Sequence, residues 1–166
     1  MTSSELIKSF DKAKEESRSA LLTYTVGGDP DKKSSLEIFR SIAEAGVDII
    51  ECGLGHGANI GDGGAIQDST YRALSGGIKT NDVFDIIKEF KNEYDKSVII
   101  MTYQNKIMSY GEDNFLTRCL ESKISGIICV DWPWPLNLSF ADKCKKNHIS
   151  FIQLLCPTTS EERLKK

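Results

Sequence analysis

The sequence contains no Cys-x-x-C pair and no Cys/His ligand spacing, so its five cysteines, Cys52, Cys119, Cys129, Cys144 and Cys156, offer no zinc framework. Their count is odd, and Cys52, Cys129 and Cys156 fall in or at the end of apolar runs, where a free thiol behaves as a small hydrophobe. That usage fits a reducing, cytoplasmic compartment. Charge of one sign is missing too: 24 Asp+Glu stand against 21 Lys+Arg, which removes the electrostatic case for nucleic acid or an anionic membrane. No apolar run approaches the roughly 20 residues needed to cross a bilayer. Residues 1–17 are charged and lack the apolar centre of a signal peptide. There is no Pro/Ser-rich linker, low-complexity tract or composition break, so the 166 residues are expected to form one domain with room for a core.

What is present is an alternation. Apolar, β-branched runs at 21–26, 47–52, 97–102, 126–130 and 150–155 are nearly continuous, as in strands covered on both faces of a parallel sheet. Amphipathic segments lie between them. Segment 33–45 sets Leu36, Phe39, Ile42 and Ala43 on one face, with Gly46 where a C-terminal glycine belongs. Segment 81–94 carries Val83, Phe84, Ile86, Ile87 and Phe90, with Thr80 as its N-cap. Further helices are expected at 4–16, 112–122 and 136–147, with one starting near Ser160 and an additional one at 65–74. Repeated βα units imply a parallel sheet with right-handed crossovers, either doubly wound or a (βα)8 barrel. No Gly-x-Gly-x-x-Gly follows the first strand, which disfavours a dinucleotide site. A barrel gathers its chemistry on the loops after its strands. There the chain places Glu51, Asp62, Tyr103 with Asn105, and Asp131. The expected class is therefore α/β of the (βα)8 TIM-barrel type, present as an incomplete barrel with five strands.

Glu51 ends a buried strand, and Asp62 lies eleven residues on, across a Gly-rich loop. Two carboxylates so placed can face each other over a pocket and share acid–base work. They can equally be structural, with Glu51 paired to a lysine and Asp62 opening the next helix. Spacing alone leaves both readings open.

At these loops the chain resembles the tryptophan synthase α subunit family. The resemblance rests on Thr23-Tyr24-Thr25-Val26-Gly27-Gly28-Asp29-Pro30, on Ala43-Glu44-Ala45-Gly46-Val47-Asp48 leading to Ile50-Glu51-Cys52-Gly53, and on Asp62-Gly63-Gly64-Ala65-Ile66-Gln67. Tyr103-Gln104-Asn105 and Asp131-Trp132-Pro133 follow in the same order as in the family. The resemblance implies a (βα)8 barrel that cleaves indole-3-glycerol phosphate to indole and glyceraldehyde 3-phosphate, with no metal or organic cofactor of its own. Glu51 would be the general acid–base group, and Asp62 would accept a hydrogen bond from the indole N–H. Tyr24, Ile66, Ile100, Tyr103 and Val130 would line the indole pocket. The implied partner is a β subunit bearing pyridoxal phosphate, in a heterotetramer.

Two departures qualify that implication. Where the family reads hydrophobic-Pro-aromatic-Ser-Asp-Pro, this chain has Leu54-Gly55-His56-Gly57-Ala58-Asn59, which puts docking of the β subunit in question. His56, a lone loop histidine, is expected to be solvated. The family also continues through strands six to eight, whose Gly-rich turns hold the substrate phosphate. The chain is therefore expected to be an N-terminal portion, inactive as a lyase by itself. The alternative is a non-catalytic barrel module acting as a binding or allosteric partner of a β subunit. Trp132-Pro133-Trp134-Pro135 is expected to pack over the barrel rim.

Overall fold

Five parallel strands lie side by side in chain order, joined by helices that cross from the end of each strand to the start of the next. A computed structural model describes residues 4–165; residues 1–3 of the charged N-terminal stretch and Lys166 lie outside the described residues. The elements are α1 (Ser4–Glu15), β1 (Leu22–Val26), α2 (Lys32–Glu44), β2 (Ile49–Gly53), α3 (Gly64–Ser75), α4 (Thr80–Glu93), β3 (Ser97–Thr102), α5 (Gln104–Tyr110), α6 (Glu112–Glu121), β4 (Gly126–Cys129), α7 (Leu138–Lys146), β5 (Ser150–Ile152) and α8 (Glu161–Leu164). A doubly wound sheet reverses its strand order at a switch point. The order β1-β2-β3-β4-β5 has no such reversal and is that of a (βα)8 barrel followed part of the way round.

Strand alternation divides the side chains between two faces. Ile50 and Cys52 of β2, Val98 and Ile100 of β3 and Ile127 of β4 point to the helix layer. They meet Phe39 of α2, Phe84 and Phe90 of α4, Phe115 of α6 and Phe140 of α7, all fully buried. Edge-on aromatic pairs knit this layer, Phe39 against Phe90 at 5.6 Å and Phe84 against Phe115 at 5.4 Å. The other face carries Ile49, Ile99 and Ile128, with Met101 and Ile152 packed alongside. Leu6 of α1 joins this smaller cluster. The helix lies at the amino ends of the strands: Ser9 hydrogen-bonds Ser97, which opens β3, and Glu5 accepts from Ser125, which precedes β4.

Several expected boundaries move, each for a local reason. The fifth strand stops at Ile152 rather than 155, because it pairs only with β4; Leu154 and Leu155 are exposed. Cys156 is exposed beyond it, not at the end of a strand. The helix at 81–94 begins one residue earlier, at Thr80, where the Asp82 carboxylate accepts the Lys79 N–H at 2.8 Å. An unforeseen helix, α5, follows β3 because Asp131, after β4, accepts the Gln104 N–H at 2.7 Å. Trp132 does pack as expected, stacked on Phe140 at 5.1 Å.

The register of β1 on β2 is set at their starts. The buried Asp48 carboxylate accepts two Arg18 N–H groups, at 2.6 and 2.8 Å, and the Leu21 N–H at 2.7 Å. The Asp48 N–H returns a bond to the Leu21 carbonyl at 3.0 Å. Leu22 is thereby opposite Ile49, and Tyr24 opposite Glu51. The Arg18 guanidinium holds the Asp48 carboxyl well below the usual carboxylate range. A depressed folded-state value stabilises the fold above the unfolded-state pKa and loses that stabilisation as pH falls through the folded one. Asp48→Ala is expected to cost about 2 kcal/mol, because donors are left without their acceptor. Thermal melts should show the gap between the native chain and Asp48→Asn narrowing below about pH 4.

Candidate active site at the strand tips

Glu51 is the middle residue of β2 and points away from the helix layer, between Tyr24 of β1 and Ile99 of β3. It borders a cavity of about 370 Å³ walled by Leu22, Ile49, Ile99, Ile128 and Ile152. The carboxyl group is half-buried among them, and burial alone pushes its pKa up, with no cation contributing. Glu51 is therefore not locked to a lysine or arginine.

Tyr24 shares that face, and its hydroxyl lies over Gly53, where a Cβ would collide with it. Burial, chiefly, raises the pKa of this hydroxyl, with smaller contributions from Asp62, Cys52 and Glu51.

Asp62 reaches this place through the loop at 54–63. The loop leaves β2 with the Leu54 N–H bound to the Met101 carbonyl at 2.9 Å. It returns over the end of β3, where the Gly61 N–H donates to the Tyr103 hydroxyl at 3.1 Å. A Cβ on residue 61 would press on that hydroxyl at 3.1 Å and on Val130 at 3.2 Å, so a larger residue would make those side chains give way by a few tenths of an ångström. The half-buried Asp62 follows directly in the chain. Burial, chiefly, raises the Tyr103 pKa. The His56 ring lies 5.3 Å from the Tyr103 ring, tilted by 32°.

The structure therefore brings the loop bearing Asp62 against Tyr103 and Val130 just beyond the strand tips, whereas Glu51, expected at the end of its strand, stands abreast of Tyr24 in the middle of β2 and β1, because β2 runs on to Gly53. Ile66 stands half-buried on the first turn of α3 rather than on the sheet. Ile100 lies elsewhere: it pairs with Cys52 and Ile127 on the helix-facing side and is fully buried there. A period of two from Glu51 across the register leads instead to Ile99, Met101 and Tyr103. Met101 and Ile128 were overlooked for that reason, and counting alternate residues back from Tyr103 finds Met101. His56, expected to be solvated, is half-buried against Tyr103. Among the described residues no group of three or more His, Cys, Asp or Glu side chains is placed to hold a metal ion.

With this geometry in hand, comparison with known proteins is specific. A family model described as tryptophan synthase alpha chain matches residues 10–166. The tryptophan synthase alpha chain of Pelagibacter ubique (strain HTCC1062) is 55% identical over 158 residues, covering 95% of this chain and 59% of that relative. The same protein from Petrotoga mobilis is 40% identical over 147 residues, covering 89% and 57%. Among solved structures, the tryptophan synthase alpha subunit of Legionella pneumophila str. Paris superposes with a TM-score of 0.93 at 29% identity, over 97% of this chain and 62% of that one. The tryptophan synthase complex of Pyrococcus furiosus gives 0.84 at 37% identity, over 88% and 60%. The chain spans about three fifths of the length of the relatives it matches.

The unpaired, half-buried carboxylate has a stability signature. A folded-state pKa raised by burial favours the protonated form, so its stabilisation is present below the unfolded value and lost as pH rises through the folded one. Glu51→Gln removes the charge and should raise the melting temperature at pH 7. The difference should close as pH falls below about 4, the ordinary range of a free glutamate. A gap independent of pH would mean that the carboxylate is solvated after all.

Proposed function

The chain belongs to the tryptophan synthase alpha chain family, and on that premise we propose that its carboxylates serve the cleavage of indole-3-glycerol phosphate to indole and glyceraldehyde 3-phosphate. The observation that carries this reading is a Glu51 carboxyl on the wall of an apolar cavity, abreast of Tyr24, with the loop that bears Asp62 tied to the Tyr103 hydroxyl after the neighbouring strand. The reaction breaks the bond between the indole ring carbon and the glycerol chain. One proton must reach that ring carbon, and one must leave the adjacent glycerol hydroxyl as it becomes an aldehyde. Glu51, its pKa raised by burial, suits both transfers, since a general acid–base group works best when it titrates near the ambient pH. Positive charge develops on the ring nitrogen as the carbon is protonated. Asp62 would stabilise it by accepting the indole N–H, and a carboxylate on a loop can close over the bound ring. Tyr24, Tyr103 and Val130 would flank the indole, with Ile66 at the loop's far end and Met101 in place of Ile100.

We further propose that the 166 residues act as one domain, the N-terminal part of a (βα)8 barrel, in the cytoplasm. The four buried thiols and the free, exposed Cys156 suit a reducing compartment. No helix among the described residues is long and apolar enough to cross a membrane. The partner would be a β subunit carrying the pyridoxal phosphate, as solved relatives include an α2β2 complex from Pyrococcus furiosus. Ile60, 89% exposed on the loop at 54–63, offers apolar surface for that contact.

The second reading is a binding or allosteric module of a β subunit without turnover. Indole release separates the two. It should be undetectable for the chain alone and appear on mixing with a polypeptide carrying the remaining about two fifths of the Pelagibacter relative. Glu51→Gln should then lower the rate by about 10²–10⁴-fold. Stimulation of a β subunit by the chain, with no indole released in any mixture, would establish the module instead.

A further inference from the structure

We propose that His56 is a positioning residue for Asp62, acting through Tyr103; the word positioning rests on the lyase reading, whereas the coupling itself does not. The loop at 54–63 contains Gly55, Gly57, Gly61 and Gly63, a composition that leaves the backbone many conformations to lose on ordering. Asp62 sits near its end, so its placement requires ties between the loop and the sheet. Two of these ties converge on one side chain. The Gly61 N–H binds the Tyr103 hydroxyl, and the His56 ring lies against the Tyr103 ring.

His56 is itself held. Its Nδ1 accepts the Ala58 N–H at 3.0 Å, which fixes the plane of the ring and leaves the proton on Nε2. The imidazole is thus a rigid plate, braced by its own loop, that sets the tilt of the Tyr103 ring. That tilt aims the hydroxyl at the Gly61 N–H, and Asp62 is the next residue of the chain so held. The order of dependence runs from the His56 ring to Tyr103, then to Gly61 and Asp62, with the Ala58 bond a separate tie of that ring to its own loop. Among the described residues the ties of His56 are to Ala58 and Tyr103, so its effect on the cavity is indirect.

Amide exchange and carboxyl carbon shifts in the 166-residue chain test this order, with no use of turnover, so the outcome is independent of whether the chain is a lyase. Tyr103→Phe keeps the ring but removes the hydroxyl; Gly61 should exchange about fivefold faster while Ala58 keeps its protection. His56→Phe keeps the plate but not the acceptor; Ala58 should exchange about fivefold faster while Gly61 stays protected. His56→Ala removes both, so both amides should speed up, and the Asp62 carboxyl carbon should shift as it does in Tyr103→Phe. Sheet amides should stay as in the native chain throughout. Native Gly61 exchange and an unmoved Asp62 signal in His56→Ala would overturn the proposal. So would loss of Gly61 protection in His56→Phe, or a native His56 carrying its proton on Nδ1.

Discussion

Three hydrogen bonds to one buried carboxylate, from the Arg18 guanidinium and the Leu21 N–H to Asp48, set how β1 lies beside β2. Side chains alternate along a strand, so a slip of one residue would exchange the two faces of the sheet. Glu51 would then enter the phenylalanine layer, and Cys52 would face the cavity. Neither is tolerable, since a lone carboxylate deep in an apolar layer costs several kcal/mol. The anchor sits at the amino ends of the strands, and its consequence is felt farther along them, where Tyr24 and Glu51 stand abreast.

The two faces of the sheet divide stability from chemistry. Toward the helices, five fully buried phenylalanines and the strand aliphatics form a continuous, dry layer. There Cys52 is inert, its thiol pushed up to about 12 chiefly by burial. Toward the cavity, the walls are aliphatic and the single carboxyl of β2 has no cationic partner. A group in that position destabilises the ionised protein. It is also the arrangement in which a carboxyl group keeps its proton to higher pH than a solvated one does. The aromatic layer offsets what the site costs.

Much of this was legible in the sequence because the signals were local. Continuous apolar runs marked the strands, and Leu36, Phe39 and Ala43 or Val83, Ile87 and Phe90 marked the buried faces of α2 and α4. Glu51 was legible because a charge at the end of such a run is rare. Ile100 was misplaced for the converse reason. Within Val98-Ile99-Ile100-Met101 every residue is apolar, so composition does not say which two face the helices, and only pairing with β2 decides. The helix α5 escaped notice because its cap, Asp131, comes from a different βα unit. His56 escaped because its stacking partner lies 47 positions away, and no local pattern announces such a meeting. What could not be read was, in each case, an interaction between distant parts of the chain.

Helix α1 gives the sheet a floor. With Leu6 against Ile49, Ile99 and Ile128, and with Glu5 and Ser9 fastened to the starts of neighbouring strands, the amino end of the cavity is stoppered. The wall that carries Glu51 is therefore shut where the strands begin, and whatever reaches that carboxyl must come from another side.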